Sequence, residues 1–283
     1  MKTTFGESTK VEISKPKTQS LPEVLSYAGS LIAVGAVTLW FSNYWEEISK
    51  SQKTASFSIL AIALFVGGLL ASDTADARRR LSGYLYLLSA ASSGVAVYVT
   101  YDEEPAPLQS FALATVIALL GYTVASTLIG HAGLFMASTG TLVALGFQFV
   151  ESENLRLYTQ ISLVIAFALT WLILSAFGTV NTHLGYALGT GAIFASAQYA
   201  FFRNFENLSY GIAAALLALS IWLYLRIPSW VLVISAISAF GVGLAEWVTR
   251  TMENSTSAII GMLVVGTVIT AISITMANSQ RVD

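Results

Sequence analysis

Few side chains in this 283-residue chain are able to do chemistry, so they can be taken one at a time. The 2 histidines, His131 and His183, stand where an apolar run resumes after a short break. On neighbouring hairpins an imidazole pair would titrate near neutral pH or hold a metal ion. With no carboxylate or cysteine motif beside either ring, both read first as interfacial helix caps. Glu246 lies in an apolar run four residues before Arg250. That spacing suits a helical salt bridge; the competing reading is a substrate or proton site, because an ionisable group at membrane depth is functional by default. Gln148 and Gln198 are uncharged, and either line a polar cavity or hydrogen-bond across helices. Trp171 joins them as an aromatic wall for such a cavity.

Other motifs exclude more than they suggest. There is no cysteine, which removes disulfides, cysteine-ligated zinc, iron–sulfur clusters and thiol catalysis. No His-Glu-x-x-His, Gly-x-Ser-x-Gly or glycine-rich phosphate loop occurs in the chain, and each of those chemistries needs its motif. No two acids share an apolar run at depth for general acid–base work. The expectation is a protein that is not an enzyme, with no catalytic, metal or cofactor-binding residues and no cofactor.

The elements that carry these residues follow from composition. Lys+Arg 14 and Asp+Glu 16 make 11% charged residues against 55% hydrophobic, with a mean hydropathy of +0.70. Ordinary soluble domains carry about 25% charge. A soluble enzyme, a disordered chain and a nucleic-acid binder are therefore excluded, the last also by the net charge of −2. A membrane protein is implied.

Charge-free windows then count the spans, since a charge at a helix centre costs roughly 2.5–3.5 kcal/mol on insertion scales and a crossing needs about 20 residues. Windows 24–45, 54–72, 81–101, 207–225, 227–245 and 254–280 fit one helix each. Windows 105–150 and 157–202 fit two each, broken at Gly130-His131-Ala132 and at Thr179–His183. The fold class is thus an all-α, polytopic helical bundle of ten transmembrane helices. The spans fall near 23–44, 54–72, 81–101, 107–129, 132–150, 157–178, 183–202, 207–226, 228–249 and 256–277. Residues 1–21 read as a polar cytoplasmic tail without the apolar stretch of a signal peptide, 22–278 as the membrane domain and 279–283 as a short cytoplasmic tail. Pro22, Pro107 and Pro228 sit near helix starts, where a missing N–H costs nothing, and Ser20–Glu23 has the form of a capping box.

Orientation comes from the loops. The side holding both termini carries nine of the Lys and Arg residues, the other side five, which places both termini in the cytoplasm of a cell (plasma or inner) membrane. Arg78-Arg79-Arg80 is the strongest local signal; it reads as a topogenic anchor ahead of an anionic-lipid clamp.

The outer turns also resemble one another: Asn43–Glu47, Tyr101–Glu104, Phe149–Asn154, Phe205–Asn207 and Thr251–Asn254. Five parallel helical hairpins of about 50 residues would produce this. So would any antiparallel bundle with aromatic rings and acids at its rim, and both readings stand. Gly185 and Gly189, with Gly191 nearby, and the small residues Ser89–Gly94 read as close-packing surfaces between helices.

Leu25–Leu31, Gly35 and Asn43-Tyr44-Trp45-Glu46-Glu47-Ile48 resemble the opening hairpin of an uncharacterised family of multi-pass bacterial and archaeal membrane proteins. That family has a Tyr/Gly-rich first span and an Asn-Trp-acidic turn. The resemblance implies no activity. In layout alone the chain also resembles the drug/metabolite transporter superfamily. Two functions follow as expectations: a non-enzymatic membrane subunit or scaffold packing against lipid, protein partners or a second copy of itself, and a permease for a neutral or amphipathic solute. The scarcity of polar groups at depth favours the first. No nucleic-acid partner is expected.

Overall fold

A computed structural model of the protein describes residues 43–72, 76–101 and 108–251, without the side chains at 76, 77, 245 and 248–251. The chain divides into Met1–Ser49 and Lys50–Asp283, and every helix named here belongs to the second unit. Of the first unit, Asn43–Ser49 forms a tight turn in which the Glu47 and Ile48 amides both donate to Tyr44 O.

Eight helices follow in chain order: α1 Lys50–Ala71, α2 Asp76–Tyr101, α3 Leu108–Val124, α4 Leu128–Phe149, α5 Glu153–Ala176, α6 Thr182–Phe202, α7 Glu206–Arg226 and α8 Trp230–Thr251. No strand occurs among the described residues. The all-α class is therefore correct. The spans expected at 23–44 and 256–277, apart from Asn43 and Tyr44, lie outside the described residues, as do Pro22, Pro107 and the Ser20–Glu23 box.

Five helices are long and apolar enough to cross a membrane: α1, α2, α4, α5 and α7. The apolar runs Leu108–Val124 and Trp230–Leu244 are shorter. α6 has 21 residues, but His183, Thr190, Ser196, Gln198 and its glycines dilute its apolar character. The expected ten crossings thus reduce, among the described residues, to eight helices of which five qualify by length and composition.

One break needs correcting. α3 ends at Val124 and α4 begins at Leu128, so Gly130-His131-Ala132 is the first turn of a helix and not a connection. Thr127 is the reason: it adopts an extended N-cap conformation, and its hydroxyl accepts the Gly130 N–H at 3.0 Å. That satisfies an amide that otherwise has no partner in the helix. At the next break Asn181 does the same for Leu184 N–H at 3.0 Å, after Gly178 has turned the chain at a φ of 71°. Thr127 and Asn181 are the caps; the two histidines are not.

Each helix packs on its chain neighbours, and four pairs two places apart also touch: α1 with α3, α2 with α4, α4 with α6 and α6 with α8. No substantial contact joins described helices further apart in the chain. The described helices of the second unit therefore form an open row, in which each hairpin rests on the adjacent one.

Two buried clusters fill the row. Ala90, Ala118, Leu134, Phe135 and Trp171 pack between α2 and α5, and Leu157, Ala168, Leu172, Tyr186, Leu216 and Leu232 between α5 and α8.

Close approach depends on small residues, as the sequence suggests. A Cβ on Gly185 would overlap Ser175 Oγ, and one on Gly189 would come within 2.7 Å of Leu172. Gly191, in contrast, faces open space. Hydroxyls stitch the remainder: Ser82 and Ser89 of α2 donate to the Gly68 and Ala61 carbonyls of α1, both at 2.8 Å. Between the parallel α6 and α8, Thr190 and Ser235 hydroxyls lie 2.7 Å apart. Arg79 of the arginine triplet reaches Ser126 O at 3.0 Å and Ser126 Oγ at 2.6 Å, tying the start of α2 to the α3–α4 turn.

Candidate functional site: polar bonds around α5

α5 carries a polar group near each end, and both engage neighbouring helices. Towards its C-terminus Trp171 faces the first turn of α4, where His131 is 2% exposed. Trp171 Nε1–H donates to His131 Nε2 at 2.7 Å. An indole nitrogen only donates, so Nε2 must be the unprotonated nitrogen and the neutral imidazole carries its proton on Nδ1. Aromatic rings enclose the pair. Tyr122 meets the imidazole edge-on at 6.0 Å, while Phe135 and Phe167 each lie 5.3 Å from Trp171.

Near the N-terminus of α5, Gln160 is also 2% exposed. Its Nε2 donates to the Val143 carbonyl of α4 at 3.1 Å, and its Oε1 receives the Tyr199 hydroxyl of α6 at 3.4 Å. Gly146 makes the space, since a Cβ there would lie 2.5 Å from Gln160 Cγ. One amide therefore joins three helices. Each of its functional groups keeps spare capacity, because a primary amide has two N–H groups and two oxygen lone pairs.

Beside Gln160 is a cleft of about 320 Å³ between α4, α5 and α6, bounded by Thr139, Val143, Phe147, Val164, Ser196 and Tyr199. Its wall is almost all carbon: the Ser196 and Thr139 hydroxyls bond their own helices, to Ala192 O and Phe135 O. Arg156, one turn before Gln160, lies beside the cleft residue Phe147. Its guanidinium lies 5.5 Å over the Phe147 ring and donates to the Val150 and Glu151 carbonyls at 2.8 and 3.1 Å. Arg203, four residues after Tyr199, pairs with Glu153 at 2.6 Å. A larger trough of about 430 Å³ runs between α1, α2 and α3, past Ala61, Phe65, Ser89, Ser93 and Ile117.

The residues singled out from sequence are dispersed. His131 and Trp171 form one bond, a partnership that neither residue announces in the sequence. His183 is exposed and lies elsewhere, its Nδ1 3.3 Å from Ser229 Oγ. A paired-histidine site is therefore not formed, because His131 is bonded to Trp171 and His183 to Ser229. Gln198 is half-buried and outside the cleft, which its neighbour Tyr199 lines instead. Gln148 is exposed near the end of α4. Glu246 is half-buried on α8, and the Arg250 side chain expected to pair with it is outside the described residues.

Gln160, Tyr199 and Arg156 escape sequence reasoning. The available signal was a glutamine inside an otherwise apolar run with a glycine in the preceding one. Chemically the assembly can hold helices together and accept an amphiphile. The single described Ser–His contact, Ser229 with His183, has no described carboxylate against the imidazole to orient it as a base.

The fold and these bonds define an all-α protein with several membrane-capable helices. Comparison with protein-family models, curated proteins and solved structures finds no match.

Proposed function

We propose that this is a multi-pass membrane protein with ten spans and both termini in the cytoplasm, acting as a non-enzymatic subunit or scaffold that packs against lipid or protein partners. The observation that carries the reading is the open row. A permease encloses its solute between helices distant in the chain, and among the described helices every substantial contact is between helices one or two places apart. Two packed clusters of carbon side chains occupy much of the interior of the row, and the buried His131 and Gln160 there are already bonded to protein groups.

The absence of native cysteine offers a direct test. Single cysteines at Ala168, Ala197 and Leu216, all buried, are expected to resist a membrane-impermeant maleimide in proteoliposomes. Rapid labelling at any of them would reveal a water-filled path and favour the permease. On intact cells Ser152→Cys is expected to react and Thr179→Cys to react only after permeabilisation; the reverse would invert the topology.

A further inference from the structure

We propose that the cleft between α4, α5 and α6 is a binding site for one zwitterionic phospholipid from the leaflet on the Glu151 side. This rests on the membrane-spanning reading above and adds a named ligand to it. On α4 the lining extends from Phe147, the residue nearer Glu151, to Thr139, eight residues along the helix and about 12 Å at ~1.5 Å per residue. A single leaflet contributes about half of the ~30 Å hydrocarbon thickness, so the cleft has the depth of one acyl chain. Its wall of Val143, Ile161, Val164, Ala192 and Ala195 is suited to hydrocarbon.

The polar groups are arranged in the order a phospholipid needs. Arg156, over Phe147 at the Glu151 end of the cleft, keeps N–H groups beyond its two carbonyl bonds, since a guanidinium has five, and it meets the phosphate. One turn deeper, the spare N–H of Gln160 meets an ester carbonyl at the start of the chain. Charge around the α4–α5 turn is balanced: Arg156 and Arg203 accompany the exposed carboxylates of Glu151 and Glu153, the last already paired with Arg203. A purely anionic headgroup would meet those carboxylates, whereas the ammonium of a zwitterionic one complements Glu151. Charge complementarity thus selects the class of lipid.

Native mass spectrometry of the full-length protein, released from nanodiscs of known composition, tests this with phosphatidylethanolamine, phosphatidylglycerol and diacylglycerol as probes. The expected result is one retained phosphatidylethanolamine, favoured about tenfold or more over the other two, the worth of one charge-assisted hydrogen bond. Arg156→Gln, which removes the phosphate contact, and Ala195→Phe, which fills the cleft, are each expected to lower retention by a similar factor. Ile173→Phe, on an exposed part of α5, should leave retention unchanged. Equal retention of the three lipids, or undiminished retention in Arg156→Gln, would overturn the proposal. If Ala195→Phe fails to fold, Ala195→Leu with Arg156→Gln still decides it. Failure of the protein to float with membranes in a density gradient would instead refute the membrane reading, so the two failures are distinct.

Discussion

His131 and His183 begin successive hairpins with the same His-x-Gly pattern, His-Ala-Gly and His-Leu-Gly, yet one is sealed in the core and the other is exposed. The difference lies in the cap. Thr127 precedes His131 by four residues, while Asn181 precedes His183 by two. Two residues turn a helix by about 200°, which is enough to carry an equivalent side chain to the opposite face. Gly133 accordingly approaches Leu87 of the preceding parallel helix, whereas Gly185 approaches Ser175 of α5. The partners differ as well. α5 offers Trp171 to His131, while α7 carries Trp222 at 55% exposure, with Arg226 6.0 Å above its ring. A repeated motif is therefore no guarantee of a repeated environment; the distance to the cap assigns its face.

The largest effect should come from breaking this contrast at the buried member. His131→Ala removes a packed ring and leaves the Trp171 N–H without an acceptor, and is expected to cost about 3 kcal/mol or more. His183→Ala removes an exposed ring and one long hydrogen bond, and is expected to stay within about 0.5 kcal/mol. Chemical unfolding in nanodiscs, followed by tryptophan fluorescence, measures both. Similar losses for the two variants would mean that the two histidine environments do not differ in energy.

Glycines sharpen the same comparison at lower amplitude. At Gly185 an added methyl overlaps Ser175, whose hydroxyl is already bonded to Trp171 O at 2.7 Å, so α5 and α6 must part. Gly185→Ala is expected to destabilise by about 1–3 kcal/mol. Gly191→Ala, six residues on, enters open space and is expected to be neutral or stabilising by up to about 1 kcal/mol, through helix propensity alone. Melting of the two variants side by side provides the check; a loss of more than about 1 kcal/mol at Gly191 would place an unseen neighbour over that face.

How much was legible before the structure depends on the signal each feature leaves. Helix positions were readable because charges interrupt apolar runs, and the expected starts and ends of α5–α8 fall within a few residues of those found, although of these only α5 and α7 are long and apolar enough to cross a membrane. The α3–α4 break was misplaced because a glycine beside a histidine looks like an interruption. A threonine cap three residues earlier, whose value lies in one hydrogen bond, leaves almost no trace in hydropathy. Helix faces were not readable at all. In a soluble helix the polar side identifies the exposed face, but lipid and core are both apolar, so α6 gave no reason to choose Tyr199 over Gln198. The same loss of contrast hid Gln160, although His131 and Trp171 stood out individually as rare residue types.

If cap position assigns the face, weakening a cap should have a local signature. Thr127→Ala and Asn181→Ala each remove one side-chain acceptor and are expected to cost about 1 kcal/mol. They should differ in where the loss appears. In a row held together by neighbour contacts, disturbance decays along the row instead of spreading through a common core. Thr127 also fills the gap left by Gly83, where an added Cβ would overlap its hydroxyl, so Thr127→Ala loosens α2 against α4 as well as fraying the start of α4. Amide hydrogen exchange should then accelerate in α2–α4 and around His131, while α7 and α8 keep wild-type rates. Asn181→Ala should accelerate exchange at the start of α6, at Leu184 above all, and leave α2 and α3 untouched. Uniform acceleration across all eight helices in either variant would mean that the row unfolds as one cooperative body, and the two histidine environments would then be parts of a single core.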